Sequence, residues 1–190
     1  MQEKIKAELK ESIEVKNQVI QTLAPAIEQA AKMMIEAFKT GNKVFFFGNG
    51  GSAADAQHLA AELISRFRLE RKALPAIALT TDTSIITAIA NDYSFDNIFA
   101  RQIEGLAQPG DIAFGISTSG NSKNVVAGLA KAKQAGCQTI GLIGSGGKIA
   151  EISDITIAVP SKATPRVQEC HITIGHILCG LVEDQLFGKQ

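Results

Sequence analysis

No charge of either sign predominates in this chain. Nineteen Lys and Arg balance nineteen Asp and Glu, which argues against a nucleic-acid or membrane surface held by bulk charge and leaves room only for a local basic patch. Cysteine is scarce: Cys137, Cys170 and Cys179 are odd in number and show no Cys-x-x-Cys spacing, so neither a disulfide framework nor a cysteine zinc site is encoded. They are expected to be reduced and buried. No stretch reaches the ~18 uninterrupted apolar residues of a membrane span, and the opening Met-Gln-Glu-Lys-Ile-Lys carries charges where a secretory signal would need an apolar core. The expectation is a soluble, cytoplasmic protein. Internal repeats, low-complexity tracts and linkers are missing too, and 190 residues with 45% hydrophobic content suffice for one domain with a stable core.

What is present falls into two parts, helices over 1–41 and an α/β core over 42–190. Ile5, Leu9 and Ile13, then Val15, Val19, Ile20 and Leu23, recur at helical spacing with charges between them, which predicts an amphipathic helix over 3–23. A second helix is expected from Pro25, carrying Ile27, Ala30, Ala31, Met34, Ile35 and Phe38 and stopping at Gly41. These helices could pack on the sheet or on another subunit, and the sequence does not choose. From residue 43, apolar runs at Val44–Phe47, Pro75–Leu79, Ile112–Ile116, Thr139–Ile143 and Asp154–Val159 read as strands. Helices are expected at about 52–66, 83–106, 121–135, 147–152 and 166–187. Strand–helix alternation predicts a doubly wound, mostly parallel five-stranded sheet covered on both faces.

Ligands of such sheets bind beyond the carboxyl ends of the strands. Two loops stand there: Gly48-Asn-Gly-Gly-Ser52 and Ser117-Thr-Ser-Gly-Asn-Ser122. The second gathers four hydroxyls around a glycine just before a helix whose free N–H groups favour an anion, a plausible cradle for a phosphate monoester. The bland alternative is that both are only caps and turns. Neither is a Walker loop or a dinucleotide fingerprint.

His58 and Glu62 are four residues apart on a helix, so they share a face. Gln168 and His176 differ by about 80° around the final helix and can point into one cleft. Four ligand-capable groups from two helices could therefore converge as a metal site. Without metal, Glu62 and His176 would suit an aldose–ketose isomerase, which needs a carboxylate to carry a proton between adjacent carbons and an acid to serve an oxygen. Arg66, one turn on, could steady an enediolate, or Arg66, Arg68, Arg71 and Lys72 could form a solvated basic face. Asn91 and Asp92 could hold sugar hydroxyls or simply stop a helix, and His171 reads as a structural residue or one behind the site.

Gly-Asn-Gly-Gly-Ser at 48–52, His58 with Glu62, Ala-Asn-Asp at 90–92, Gly-Ile-Ser-Thr-Ser-Gly-Asn-Ser at 115–122, and Arg-Val-Gln-Glu-Cys-His at 166–171 with His176 together resemble the phosphoheptose isomerase family of sugar isomerase (SIS) domains. The resemblance covers nearly the whole chain. It implies a homotetramer with active sites at subunit contacts, and interconversion of sedoheptulose 7-phosphate and glycero-manno-heptose 7-phosphate, the entry to the heptose of bacterial surface glycolipids. By position it implies that Ser117, Thr118, Ser119 and Ser122 hold the phosphate, while Asn49, Gly50, Gly51, Glu62, Asn91, Asp92 and Gln168 contact the sugar. It further implies Glu62 as base, His176 as acid, and His58, Glu62, Gln168 and His176 as ligands of one zinc per subunit. Base and ligand compete for Glu62, because a metal-bound carboxylate is a weaker base.

A second resemblance rests on the opening Met-Gln-Glu-Lys-Ile-Lys, Leu-Thr-Thr-Asp-Thr at 79–83, Thr-Ala-Ile-Ala-Asn-Asp at 87–92 and Glu-Asp-Gln-Leu-Phe at 183–187. These are similar to SIS proteins that associate with the bacterial replication initiator and lack the isomerase acid/base pair. Here Glu62 and His176 are both present, and a docking module has no chemical need of them.

Overall fold

The computed structural model describes residues 1–188. Helices α1 (Gln2–Thr22) and α2 (Ala24–Lys39) precede β1 (Val44–Gly48), α3 (Gly51–Ile64) and β2 (Ala76–Ala78). Next come α4 (Thr83–Asp92), a short 3₁₀ turn, α5 (Ile98–Leu106), β3 (Ile112–Ser117) and α6 (Lys123–Gln134). The chain continues through β4 (Gln138–Ile143), α7 (Lys148–Ile152), β5 (Ile155–Ala158) and α8 (Thr164–Phe187). One departure from the sequence reading lies at 83–106, where a single helix was expected. Tyr93 leaves the helical region, and the Ser94 hydroxyl accepts the Asp96 N–H at 2.9 Å, so the chain turns and restarts.

All five strands are parallel, in the order β2-β1-β3-β4-β5. Chain direction across the sheet reverses between β1 and β3, so the loops leaving their carboxyl ends diverge and open a crevice there. Those are the two glycine- and serine-rich loops. The central strands β1, β3 and β4 are buried along nearly their whole length rather than alternately, because both faces are covered. Phe46 joins the core under α1, α2, α3 and α8, whereas Phe45 and Phe47 join the core under α4, α5, α6 and α7. Each buried Phe stabilises the fold by roughly 1.5–3 kcal/mol, so β1 anchors both layers.

At the opposite, amino end of the sheet, Asp111 accepts from the Lys43 N–H, Lys43 Nζ, the Gln108 N–H and Asn42 Nδ2. Burial alone would raise its pKa; these donors hold it below the usual carboxylate range. The α1 helix docks partway. Val15 and Val19 are buried, and Arg166 of α8 reaches the Glu8 carbonyl and the Glu8 and Glu11 carboxylates. Ile5, Leu9, Ile13 and Ile20 stay exposed, so much of the apolar stripe is left uncovered among the described residues.

His171 on α8 is fully buried. The Ile143 carbonyl lies close enough to offset part of that burial, but neither ring nitrogen forms a well-shaped hydrogen bond among the described residues. Burial therefore pushes its pKa down to about 4 from 6.5. The unfolded chain takes up a proton as pH falls through about 6.5 while the folded chain resists until about 4, so stability is lost across that window. At roughly 1.4 kcal/mol per pH unit the full loss is about 3 kcal/mol. Replacing His171 with Leu should remove this component; urea melts of both proteins at pH 7 and pH 4 will show a smaller pH-dependent loss in the variant.

Candidate active site

Helix α3 and helix α8 face each other across the end of the crevice. His58 and Glu62, one turn apart on α3, place Nε2 and Oε1 3.1 Å from each other. His176 of α8 brings its Nε2 to 3.0 Å from the same His58 nitrogen, so one imidazole donates and the other accepts. The three donor atoms all lie within 4.8 Å of one another, a grouping able to hold a metal ion. Phe67, just beyond α3, stacks on His176 at 5.6 Å between ring centroids and shields that side from water. His58 is about half exposed and Glu62 a quarter, so the cluster remains open to a ligand.

Asp55, one turn before His58, has an Oδ2 that is buried with no hydrogen-bond partner among the described residues. Burial raises its pKa, and the nearby His58 opposes the rise. Gln168 packs against Gly51, its Nε2 lying where a Cβ there would sit, so this side chain of α8 reaches the first turn of α3. Gln168 and His176 thus both face α3, as their spacing implied.

The two loops at the crevice are tied by a pair of amides. Asn49 Nδ2 donates to Asn124 Oδ1 at 2.9 Å, and Asn124 Nδ2 donates back to Asn49 Oδ1 at 2.8 Å. Asn124 is buried and its Oδ1 also accepts the Val125 N–H. The Asn49 side chain is therefore engaged in bracing one loop against the other, leaving the backbone of Asn49, Gly50 and Gly51 as the surface a sugar could meet.

In the second loop, Ser117 Oγ lies 2.9 Å from Ser122 Oγ and 3.4 Å from Ser119 Oγ, so the hydroxyls converge as expected. Gly120 has φ +67°, and a side chain there would strike the Gly146 carbonyl. The Ile149 N–H donates to the Gly120 carbonyl and the Lys148 N–H to Asn121 Oδ1, which fastens this loop to the one before α7. Thr118, Ser119 and Asn121 line a polar cavity of about 250 Å³ with Ser145, Ser161 and Lys162.

Other candidates lie apart from this cluster. Arg66 is exposed, with Nε 3.7 Å from Glu70. Asn91 donates to Asp92 at 2.8 Å at the end of α4, and Asp92 lines a groove between α4 and α5 with Tyr93 and Arg101. The proposed basic face requires a correction at Arg71, whose side chain is 1% exposed and paired with the equally buried Glu183. Sequence reasoning missed Asp55, Asn124 and Glu183. Only Asn124 left a local trace, in its place two residues after the serine loop.

Residues 9–144 match the family model described as the SIS domain. The phosphoheptose isomerase of Geotalea daltonii is 58% identical over 100% of both chains, and that of Aquifex aeolicus 57% identical over 98% of both. The solved structure of phosphoheptose isomerase from Neisseria gonorrhoeae superposes with a TM-score of 0.92 at 42% identity, covering 96% of this chain and 98% of that one. With identity of 57% or more over whole chains and a match to the family model across most of its length, this protein belongs to the phosphoheptose isomerase family of SIS-domain proteins.

Proposed function

We propose that this chain is the aldose–ketose isomerase that interconverts sedoheptulose 7-phosphate and D-glycero-D-manno-heptose 7-phosphate. The observation that carries the reading is the meeting of Glu62, His58 and His176 beside two ligand loops in a chain 58% identical, end to end, to a phosphoheptose isomerase. Glu62 removes a proton from C1 of the ketose, and the electron pair left behind forms the C1–C2 double bond. His176 gives a proton to the C2 oxygen as the carbonyl opens. Glu62 then returns the carbon-bound proton to C2 while the O1 hydroxyl proton passes to His176, leaving the aldehyde at C1. Arg66 is assigned to the developing negative charge, and the sugar body to Asn49, Gly50, Gly51, Glu62, Asn91, Asp92 and Gln168. The phosphate is assigned to Ser117, Thr118, Ser119 and Ser122.

The donor set also fits zinc. Ligands at roughly 2.0–2.1 Å sit about 3.3–3.4 Å from one another around a tetrahedral ion, close to the 3.0 and 3.1 Å separations seen here. His58, Glu62 and His176 would hold it, with Gln168 as a weak fourth ligand. Zinc held there would fix the two imidazoles and shape the site rather than serve as a Lewis acid during turnover, because a carboxylate bound to it is a weaker base.

We further infer a cytoplasmic homotetramer with sites at subunit contacts; the exposed Ile5, Leu9, Ile13 and Ile20 on α1 and Ile177 and Leu181 on α8 support self-association. Among the described residues no helix is long and apolar enough to cross a membrane. Docking of a replication initiator would leave the convergence of Glu62 and His176 without a purpose, so the enzyme reading is preferred.

Glu62→Gln should lower kcat by about 10²–10⁴ while KM stays within a few-fold, measured by conversion of sedoheptulose 7-phosphate; full turnover would rule out proton transfer by Glu62. His58→Ala should lose the bound zinc, read as metal content per chain after dialysis. Asn124→Ala leaves the Asn49 amide without its partner, and should cost about 1–3 kcal/mol in urea melts and raise KM.

A further inference from the structure

The residues beyond α3 are held by an ion pair that the reaction does not directly use. Glu183, two turns past His176 on α8, accepts the backbone N–H groups of Phe67, Arg68 and Leu69 at 3.1, 2.6 and 2.9 Å. Its Oε1 also accepts from Arg71 Nε at 2.9 Å, and both side chains are 1% exposed. Arg71 also grips the end of α3: Nη2 donates to the Glu62 carbonyl at 2.9 Å, and Nη1 to the Leu63 carbonyl at 2.7 Å and to the Lys72 carbonyl at 3.1 Å. One guanidinium thereby joins the backbone of Glu62 to the helix that carries His176. Through Glu183 the same unit fixes Phe67, whose ring lies on His176.

Charge at this place is costly unless saturated. Burial would raise the Glu183 pKa, but the three N–H groups and Arg71 reverse that and hold the carboxyl below its usual range. Cys179 of α8 is buried within reach of these charges: burial, then Glu62 and Glu183, against the opposing Arg71, pushes its thiol up to about 12. Apolar side chains could replace the ion pair itself at little cost in stability, but they would leave the backbone groups it binds without partners. What an apolar pair cannot do is grip the Glu62 carbonyl and three consecutive N–H groups at once.

We propose that Arg71 and Glu183 are positioning residues for the isomerase, setting the Glu62 carboxylate against the His176 imidazole across two helices. This rests on the isomerase reading above. Neither residue touches substrate, so their loss should act on proton transfer rather than on binding. A misplacement of about 1 Å in such a site costs on the order of 10²-fold.

The test is the double variant Arg71→Met with Glu183→Met, alongside the single variant Arg71→Lys, which keeps a cation beside Glu183 but cannot span the Glu62 and Leu63 carbonyls. Each is assayed with sedoheptulose 7-phosphate for kcat and KM, for incorporation of solvent deuterium into substrate carbon, and for its melting temperature. The expected result is a lowered melting temperature in the double variant, whose three N–H groups and two carbonyls lose their partners, and a smaller drop in Arg71→Lys; in the folded protein KM stays within about threefold while kcat and deuterium incorporation fall about 10- to 100-fold. Should the double variant not fold, the lysine variant shows the same split with a smaller loss. Full kcat in either folded variant would overturn the assignment, as would kcat falling only in step with the folded fraction. A wild type that converts none of the heptose phosphate would overturn the isomerase reading itself, a result distinct from either.

Discussion

The parallel pairing of β1 with β3, with Phe47 opposite Gly115 and Gly48 opposite Ile116, is the constraint from which the rest of the arrangement follows. It places the reversal of the sheet between these two strands, and so delivers two separate loops to one crevice. Register matters here: β1 ends in Gly48 because a Cβ there would press on the Ile116 carbonyl and on Ser52. The strand end, the turn and the first residues of α3 are therefore packed as one body. Asp111, bonded to Lys43, Asn42 and Gln108, secures the far ends of the same two strands.

Chemistry enters where the two helices flanking that crevice lean together. Two histidine nitrogens at 3.0 Å and a carboxylate oxygen at 3.1 Å form a compact, polar cluster at the rim of an apolar core. Such clusters hold their shape only when the backbone behind them is fixed. The Asn49–Asn124 amides fix the loop side, and the Arg71–Glu183 pair fixes the helix side. The reacting groups can remain open to a substrate because the groups that hold them are closed to water.

How much of this could be read in advance depends on sequence separation. His58 and Glu62 share a face because the helix makes them neighbours, and β1 announces itself as an unbroken apolar run; both are local and legible. The pairing of Gln168 with His176 followed from helical geometry, although their meeting with α3 needed the fold. Arg71 and Glu183 are 112 residues apart and Asn49 and Asn124 75 apart, and beyond the place of Asn124 just after the serine loop nothing local points to either pairing. Arg71 in particular sits in a run of basic residues, so its burial contradicts the reading that its neighbours invite. The interruption between α4 and α5 was missed for the opposite reason. Its cause, a serine cap at Ser94, is local but was outweighed by helical spacing on both sides.

The close approach of Gly120 to the Gly146 carbonyl, with Ile149 and Lys148 bonded across the same gap, means that the serine loop is not an independent module. The segment before α7 supplies half of its mould. The cavity that Thr118 and Ser119 share with Ser145 therefore takes its shape from two loops at once, and a substitution in either one is felt by the other.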